Sequence, residues 1–312
     1  MPSAEPTVTA CVPYHGGRRY IHRAVGSLLA QTHRALQVIV VNDGDTQPPW
    51  DRLAPLRDPR VVFFSLTRNH GGPFFANAVV ANAIKTPWFL VQEQDDWSDP
   101  RRVQQLLKQA SAGNADVAIS AQQFHRENAD GSSTPLYVRW KHTGRAVCPK
   151  CPPSPRCGEC FVDTAITREY RYRAPHAGLF RVDLLRRIGG YYAGLHLHFD
   201  ALLMNLLFMT GTVTHTPAPL YHRLLRPDSI THSLTTGFGT SVSNEERRAV
   251  AALYQKCFAE YQRYLRGQIS SQVLTESIRR YCQARLTAWD KQELAYETNR
   301  LRSCLATRRT MN

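Results

Sequence analysis

Three carboxylates fall within four residues at Glu93-Gln94-Asp95-Asp96. Acids this close repel one another, and the arrangement is costly unless a cation or solvent compensates. Their oxygens suit a hard divalent ion, Mg²⁺ or Mn²⁺, which can bridge to phosphate oxygens. A strand end followed by a turn would let Glu93 and Asp95 point the same way. Taken alone, the pattern is more often that of a solvated acidic loop. A second cluster is thiol chemistry: Cys148-Pro-Lys-Cys151 and Cys157-Gly-Glu-Cys160. Two such turns supply four thiolates for a tetrahedral structural zinc. The short spacer from Pro152 to Arg156 makes closure tight, and a pair of disulfides or an iron–sulfur cluster stays open; in a reducing cytoplasm zinc is favoured. Cys11, Cys257, Cys282 and Cys304 are scattered and read as small buried apolar residues. Arg68, His215 and His222 could reach phosphates or a metal, with His222 the best extra ligand, although a structural histidine is the commoner outcome.

The elements that must position these groups alternate. Strands are expected at Thr7 to Val12, Leu36 to Val41, Val61 to Ser65, Trp88 to Val91 and Asp116 to Ser120, with helices over 18 to 31 and 73 to 84. Asp99-Pro100 is expected to open a further helix, Asp99 as N-cap and Pro100 at the first helical position. This alternation implies crossover connections and a mainly parallel sheet. In such sheets ligands bind beyond the carboxyl ends of the strands. His15, Asn42-Asp43 and Glu93 to Asp96 all follow strands directly, so they should gather on one edge.

Residues 121 to 173 lose the alternation and read as an insertion near the acceptor side, holding the cysteine cluster. Order returns with a short helix from Val182 to Arg187, a helix from Phe199 to Met209 and a strand near Thr212 to His215. From about Asn244 the pattern is helical, with Val250, Leu253, Tyr254, Cys257, Phe258, Tyr261 and Leu265 on one stripe. The organisation expected is a catalytic α/β domain over 1–235 and a helical extension over 236–312.

The chain has 312 residues and 43% hydrophobic content, enough for a real core. No apolar run approaches the ~20 residues of a membrane helix. The polar start at Met1 to Pro6 lacks the form of a secretory signal, so a soluble cytoplasmic protein is expected. The net charge of +14 is spread along the chain, which weakens a nucleic-acid reading and permits anionic substrates or peripheral membrane contact.

The N-terminal half resembles family 2 glycosyltransferases with the GT-A fold. The resemblance rests on Val12-Pro13-Tyr14-His15, Ser27-Leu28-Leu29-Ala30-Gln31-Thr32, Val40-Val41-Asn42-Asp43-Gly44-Asp45, Arg68-Asn69-His70-Gly71-Gly72-Pro73 with Ala76-Asn77, and Phe89 to Trp97, in family order and spacing. It extends more weakly to Gly178-Leu179-Phe180-Arg181, Ile188-Gly189-Gly190-Tyr191, Phe199-Asp200, and Leu220 to Thr231. It implies a nucleotide-sugar donor, a UDP-sugar or another nucleoside diphosphate sugar, Mg²⁺ or Mn²⁺, and an inverting transfer to an unidentified acceptor, a small molecule or a cell-envelope glycan. It assigns Pro13 and Tyr14 to the nucleobase pocket, Asp43 to the base or ribose, Arg68 to phosphate, Asp95 to the metal, Glu93 and Asp96 to the neighbourhood of metal, diphosphate and sugar, and Asp200 to the general base. A helix N-terminus should hold the Asp200 pKa low. The chain departs from the family pattern at Asn42 and Glu93, where Asp is usual, and at Ala76, where Arg is common; Phe74-Phe75 there would build a more apolar pocket. Two rivals are a nucleotidyltransferase, for which Gly16-Gly17-Arg18-Arg19 is a faint phosphate loop, and a non-catalytic nucleic-acid-binding module.

Overall fold

The structure is a computed structural model and describes residues 7–139, 166–171, 176–226, 229–230 and 233–309. The strands among them are β1 (Val8–Tyr14), β2 (Leu36–Asn42), β3 (Val61–Ser65), β4 (Trp88–Val91), β5 (Trp97–Ser98), β6 (Val117–Glu127), β7 (Ser133–Arg139), β8 (Gly178–Arg181) and β9 (Val213–Leu225). The helices are α1 (Ile21–Leu29), α2 (Trp50–Leu53), α3 (Pro73–Ala83), α4 (Arg102–Ala112), α5 (Val182–Arg187), α6 (Phe199–Thr210), α7 (Ser241–Leu265), α8 (Ser271–Ala284) and α9 (Ala288–Arg309).

All the strands join one sheet in the order β3-β2-β1-β4-β8-β6-β9-β5, with β7 on β6. The parallel character expected from the alternation holds for β3-β2-β1-β4. Beyond β4 the sheet is mixed: β8 runs antiparallel to both neighbours, β6 is parallel to β9, and β5 is antiparallel to β9. The central strands are apolar runs because both faces are covered. Val8, Ala10, Val12 and Tyr14 of β1, with Leu36, Val38 and Val40 of β2, pack on one face with α1 and α4. Cys11, Ile39 and Val41 point the other way, into a core shared with α3, α5 and α6.

The C-terminal stripe has found its partner. Val250, Leu253, Tyr254, Cys257 and Phe258 of α7, Leu274, Ile278 and Cys282 of α8 and Leu301 of α9 belong to that same second core. These helices therefore complete one side of the α/β domain.

Two expectations change. The fifth predicted strand runs on to Glu127 and pairs with β7, so the start of the supposed insertion is sheet. And α4 begins at Arg102, with Arg101 before it. Asp99 is not its cap: its carboxylate accepts from the Arg101 backbone N–H at 2.8 Å and from the Arg101 side chain, which folds the entry turn upstream of the helix. Cys148, Cys151, Cys157 and Cys160 lie outside the described residues.

Candidate active site

The polar clusters predicted at the strand ends do gather on one edge. After β1, His15 places its ring Nδ1 3.1 Å from the Asp43 carbonyl oxygen, and its backbone N–H donates to Gln94 Oε1 at 2.9 Å. Gln94 in turn donates to the His15 carbonyl at 2.8 Å, so the turns after β1 and β4 are stitched together. After β2, Asn42 shapes the turn with both ends of its amide: Nδ2 donates to the Asp45 carbonyl and Oδ1 accepts from the Asp45 N–H. An ionised aspartate could not donate there. Gly44 has φ +65, and a Cβ on it would sit 2.1 Å from the Asn69 backbone nitrogen. The turn after β2 thus lies flat on the loop after β3.

Asp43 is buried, and its Oδ1 accepts from both the backbone N–H and the ring Nδ1 of His70, each at 3.0 Å. The His70 ring is stacked on Phe75 at 3.7 Å between centroids. The Phe74-Phe75 pair therefore builds packing, Phe74 lying against Tyr191 and Phe199. Pro13 and Tyr14 are buried within β1, and the Tyr14 hydroxyl donates to the Gln47 carbonyl at 3.1 Å. The Tyr14 side chain packs into the core beneath the strand end. Arg68 faces α9, where it grips both carboxylate oxygens of Glu293 at 2.9 and 2.7 Å and covers the ring of Trp289.

The three acids after β4 diverge. Glu93 Oε1 meets His176 Nε2 at 2.9 Å. Asp95 Oδ2 accepts from Arg226 Nε at 2.5 Å. Asp96 turns inward, accepting from the Leu224 backbone N–H at 2.8 Å, and burial together with the Asp95 charge pushes its carboxyl well above the usual range. Glu93 and Asp95 thus do not share a partner, contrary to the simple strand-end picture. Beneath the turn lies Arg102, fully buried, which donates to the Val91 carbonyl at 2.9 Å, Ser98 Oγ at 2.9 Å and Gln92 Oε1 at 3.2 Å. Burial lowers its pKa to about 10, so it remains a cation at neutral pH.

Asp200 stands in the first turn of α6, after His198, which takes a left-handed conformation at φ 61. His176, two residues before β8, reaches across to it, with Nδ1 3.4 Å from Asp200 Oδ2. Burial alone would depress the His176 pKa, but hydrogen bonds and charge from Asp200 and Glu93 outweigh that and push it up to about 9. Reciprocally, burial would raise Asp200, and the His176 hydrogen bond and charge, aided by the Ala201 backbone N–H, hold it below the usual carboxylate range. The low value expected from the helix N-terminus is present, and its main cause is a histidine that sequence motifs did not single out. About 29% of the Asp200 side chain is still exposed, so an incoming group can reach it.

A model of the family described as glycosyl transferase family 2 matches residues 9–188. The chain belongs to that family. Among curated relatives, the succinoglycan biosynthesis protein ExoO of Rhizobium meliloti (strain 1021) is 32% identical over 114 residues, covering 36% of this chain and 32% of that protein. Glycosyltransferase GlyA of Streptococcus pneumoniae serotype 4 is 24% identical over 114 residues, 36% of this chain and 16% of that one. The matched region thus spans about a third or less of these relatives' length. Among solved structures, S. aureus TarS 1-349 in complex with UDP-GlcNAc superposes with a TM-score of 0.59 at 14% identity, covering 98% of this chain and 92% of that one. A longer S. aureus TarS chain gives 0.55 at 15% identity, covering 82% of this chain and 43% of that one. The fold of this family 2 domain is accordingly GT-A.

Within the domain, the candidate metal ligands can be weighed. Among the described residues no three His, Cys, Asp or Glu side chains cluster as a metal site. The donor set is two carboxylates, Glu93 and Asp95, both partly exposed and both already facing a basic partner. That set fits an Mg²⁺ or Mn²⁺ ion held by one or two carboxylates with phosphate oxygens completing the shell. It does not fit an ion caged by protein alone. His222, the suggested extra ligand, instead shares a 3.0 Å hydrogen bond with His125 and stacks on Trp97. His215 lies on β9, paired with Ile119 of β6.

Proposed function

We propose that this chain transfers a sugar from a nucleoside diphosphate sugar, of UDP type, to an acceptor hydroxyl with inversion at the anomeric carbon, acting in the cytoplasm. The observation that carries this reading is the meeting of Asp200 and the acidic turn through His176 at the carboxyl edge of the parallel strands. Asp200, ionised at neutral pH and open on one side, takes the acceptor's proton. The acceptor oxygen bonds to the anomeric carbon as the bond to the diphosphate breaks, and the nucleoside diphosphate leaves. His176 holds the Asp200 carboxylate in one orientation and sets its distance from Glu93. Asp43, with Oδ1 spent on His70, offers Oδ2 to an imide N–H or hydroxyl of the donor. Asp95 is the first candidate to hold Mg²⁺ or Mn²⁺, and Glu93 the second; bound there, the cation would neutralise charge on the departing diphosphate. Asp96 supports this turn from below through Leu224. The acceptor is a small molecule or an envelope glycan, and no nucleic acid is involved.

The UDP assignment draws on the UDP and UDP-GlcNAc complexes of S. aureus TarS. The test is nucleoside diphosphate release from UDP-sugars, with and without EDTA, in wild type and Asp95→Ala. Loss of release in both EDTA and the variant supports the reading. Full activity in Asp95→Ala removes its metal role, and release of pyrophosphate instead favours a nucleotidyltransferase.

A further inference from the structure

The loop that carries Asp43's partner does not stand alone. Residues 67–70 are held by α9, an element far beyond the stretch matched by the family. Glu297 on α9 is wholly buried, and its Oε1 accepts from the Thr67 backbone N–H at 2.9 Å. Its other oxygen takes Arg300 at 2.6 Å, and Arg300 also donates to the Ser65 carbonyl at 3.2 Å. One turn earlier, Glu293 binds Arg68 through two parallel bonds, the strongest geometry available to such a pair. Its Oε1 also lies 3.2 Å from His70 Nε2, off hydrogen-bond alignment but in polar contact. The other ring nitrogen of the same imidazole faces Asp43 at 3.0 Å. Glu293, His70 and Asp43 therefore lie in sequence, with a hydrogen bond on the Asp43 side of the ring and a polar contact on the Glu293 side, and Phe75 stacks on the ring between them.

We infer that Glu293 is a positioning residue for the nucleotide: acting through His70, it fixes which way the Asp43 carboxylate presents Oδ2. This rests on the reading of Asp43 as the contact to the donor's base or ribose. The geometry supports action at a distance because every link is restrained. Asp43 and His70 are buried, the ring cannot rotate without losing Phe75, and Glu293 is itself fixed by Arg68. Glu293→Gln removes the charge that faces His70 Nε2 and loosens the Arg68 grip, so the ring settles differently on that side and the Asp43 carboxylate shifts with it. A base contact that must align within tenths of an ångström then weakens, while Asp200, reached from β8 and α6, is untouched.

The experiment is calorimetric titration of UDP, GDP and dTDP in Mn²⁺ buffer into wild type, Asp43→Asn, Glu293→Gln, His70→Gln and the double variant Glu293→Gln/His70→Gln. The expected result is that Glu293→Gln weakens the nucleotide that binds wild type by roughly tenfold, about 1.4 kcal/mol, and that the same change adds less than about twofold once His70 is Gln. A merely structural role would lower Tm without this loss of additivity. If Asp43→Asn abolishes binding but Glu293→Gln leaves it intact, the inference is overturned and the reading of Asp43 stands. If no nucleotide binds wild type, or Asp43→Asn binds as wild type does, both fall. Hydrogen exchange on wild type alone gives a second test, should Glu293→Gln fail to fold. Nucleotide should slow exchange in residues 288–297 as well as 43–45; slowing at 43–45 alone would overturn the inference.

Discussion

His125 offers a quantitative test of how the edge beneath the acidic turn is held. It sits on β6, buried, with Nε2 sharing a hydrogen bond with His222 Nδ1 on β9, and its ring lies 4.5 Å from that of Trp97 on β5. The Arg23 guanidinium lies over the Trp97 ring at 3.9 Å and donates to the Asp95 carbonyl at 3.1 Å. Burial, then His222, then Arg23 lower the His125 pKa from 6.5 to about 4. A histidine depressed in the folded state stabilises nothing above pH 6.5, where both states are neutral. Below 6.5 the unfolded chain binds the proton first, so stability falls as pH drops from 6.5 to about 4. The full displacement corresponds to at most about 3 kcal/mol, and solvent near the strand ends reduces it to about 1–2 kcal/mol. Urea unfolding of wild type and His125→Gln at pH 7 and pH 4.5 isolates the effect, because the carboxylates titrate alike in both proteins. The variant should lose about 1–2 kcal/mol less than wild type across that interval. Equal losses in the two proteins, or an NMR titration placing His125 near 6.5, would refute the assignment of a buried neutral histidine.

Other outcomes follow from the same geometry. Asp200→Asn should lower kcat by roughly 10²–10⁴-fold with nucleotide affinity unchanged by calorimetry, since a general base and not a binding group is lost. Arg102→Leu leaves Ser98, Gln92 and the Val91 carbonyl without their buried cation and should cost about 3–5 kcal/mol in urea unfolding. Gly44→Ala places a methyl 2.1 Å from the Asn69 nitrogen in a left-handed backbone and should destabilise by about 2 kcal/mol or more while weakening nucleotide binding in the same titration.

Much of the fold could be read because β1, β2, β3 and β4 are largely buried and so are written as short, mostly apolar runs. The helix that carries Asp200 was legible for a similar reason, its apolar content marking its start, whereas Asp200 itself was singled out only by the family resemblance. The signal failed where pairing, not burial, decides. The second half of β6 includes Gln122, Gln123 and Arg126, and it extends because β7 and β9 flank it. The two residues of β5 are too few for any period to register. Asp99 had the sequence of a cap, but the nearer Arg101 amide took its carboxylate. His176 carried no local mark. Its role exists only because β8 inserts beside β4 and swings the preceding residue between two acids far off in sequence. The same holds for Arg68, whose partner on α9 is 225 residues away.

Each acid of the turn after β4 has a partner supplied by the chain itself: His176 for Glu93, Arg226 for Asp95, and the Leu224 amide above a buried Arg102 for Asp96. In a transferase cycle this matters most at its end. A site whose acids depended on the substrate for charge balance would cling to its product, because departure would strand them. Here each acid has a protein partner of its own, so its balance does not depend on a bound group. The charge balance of this turn is thereby written into the fold itself, by residues on β8, β9 and α4 and beside them.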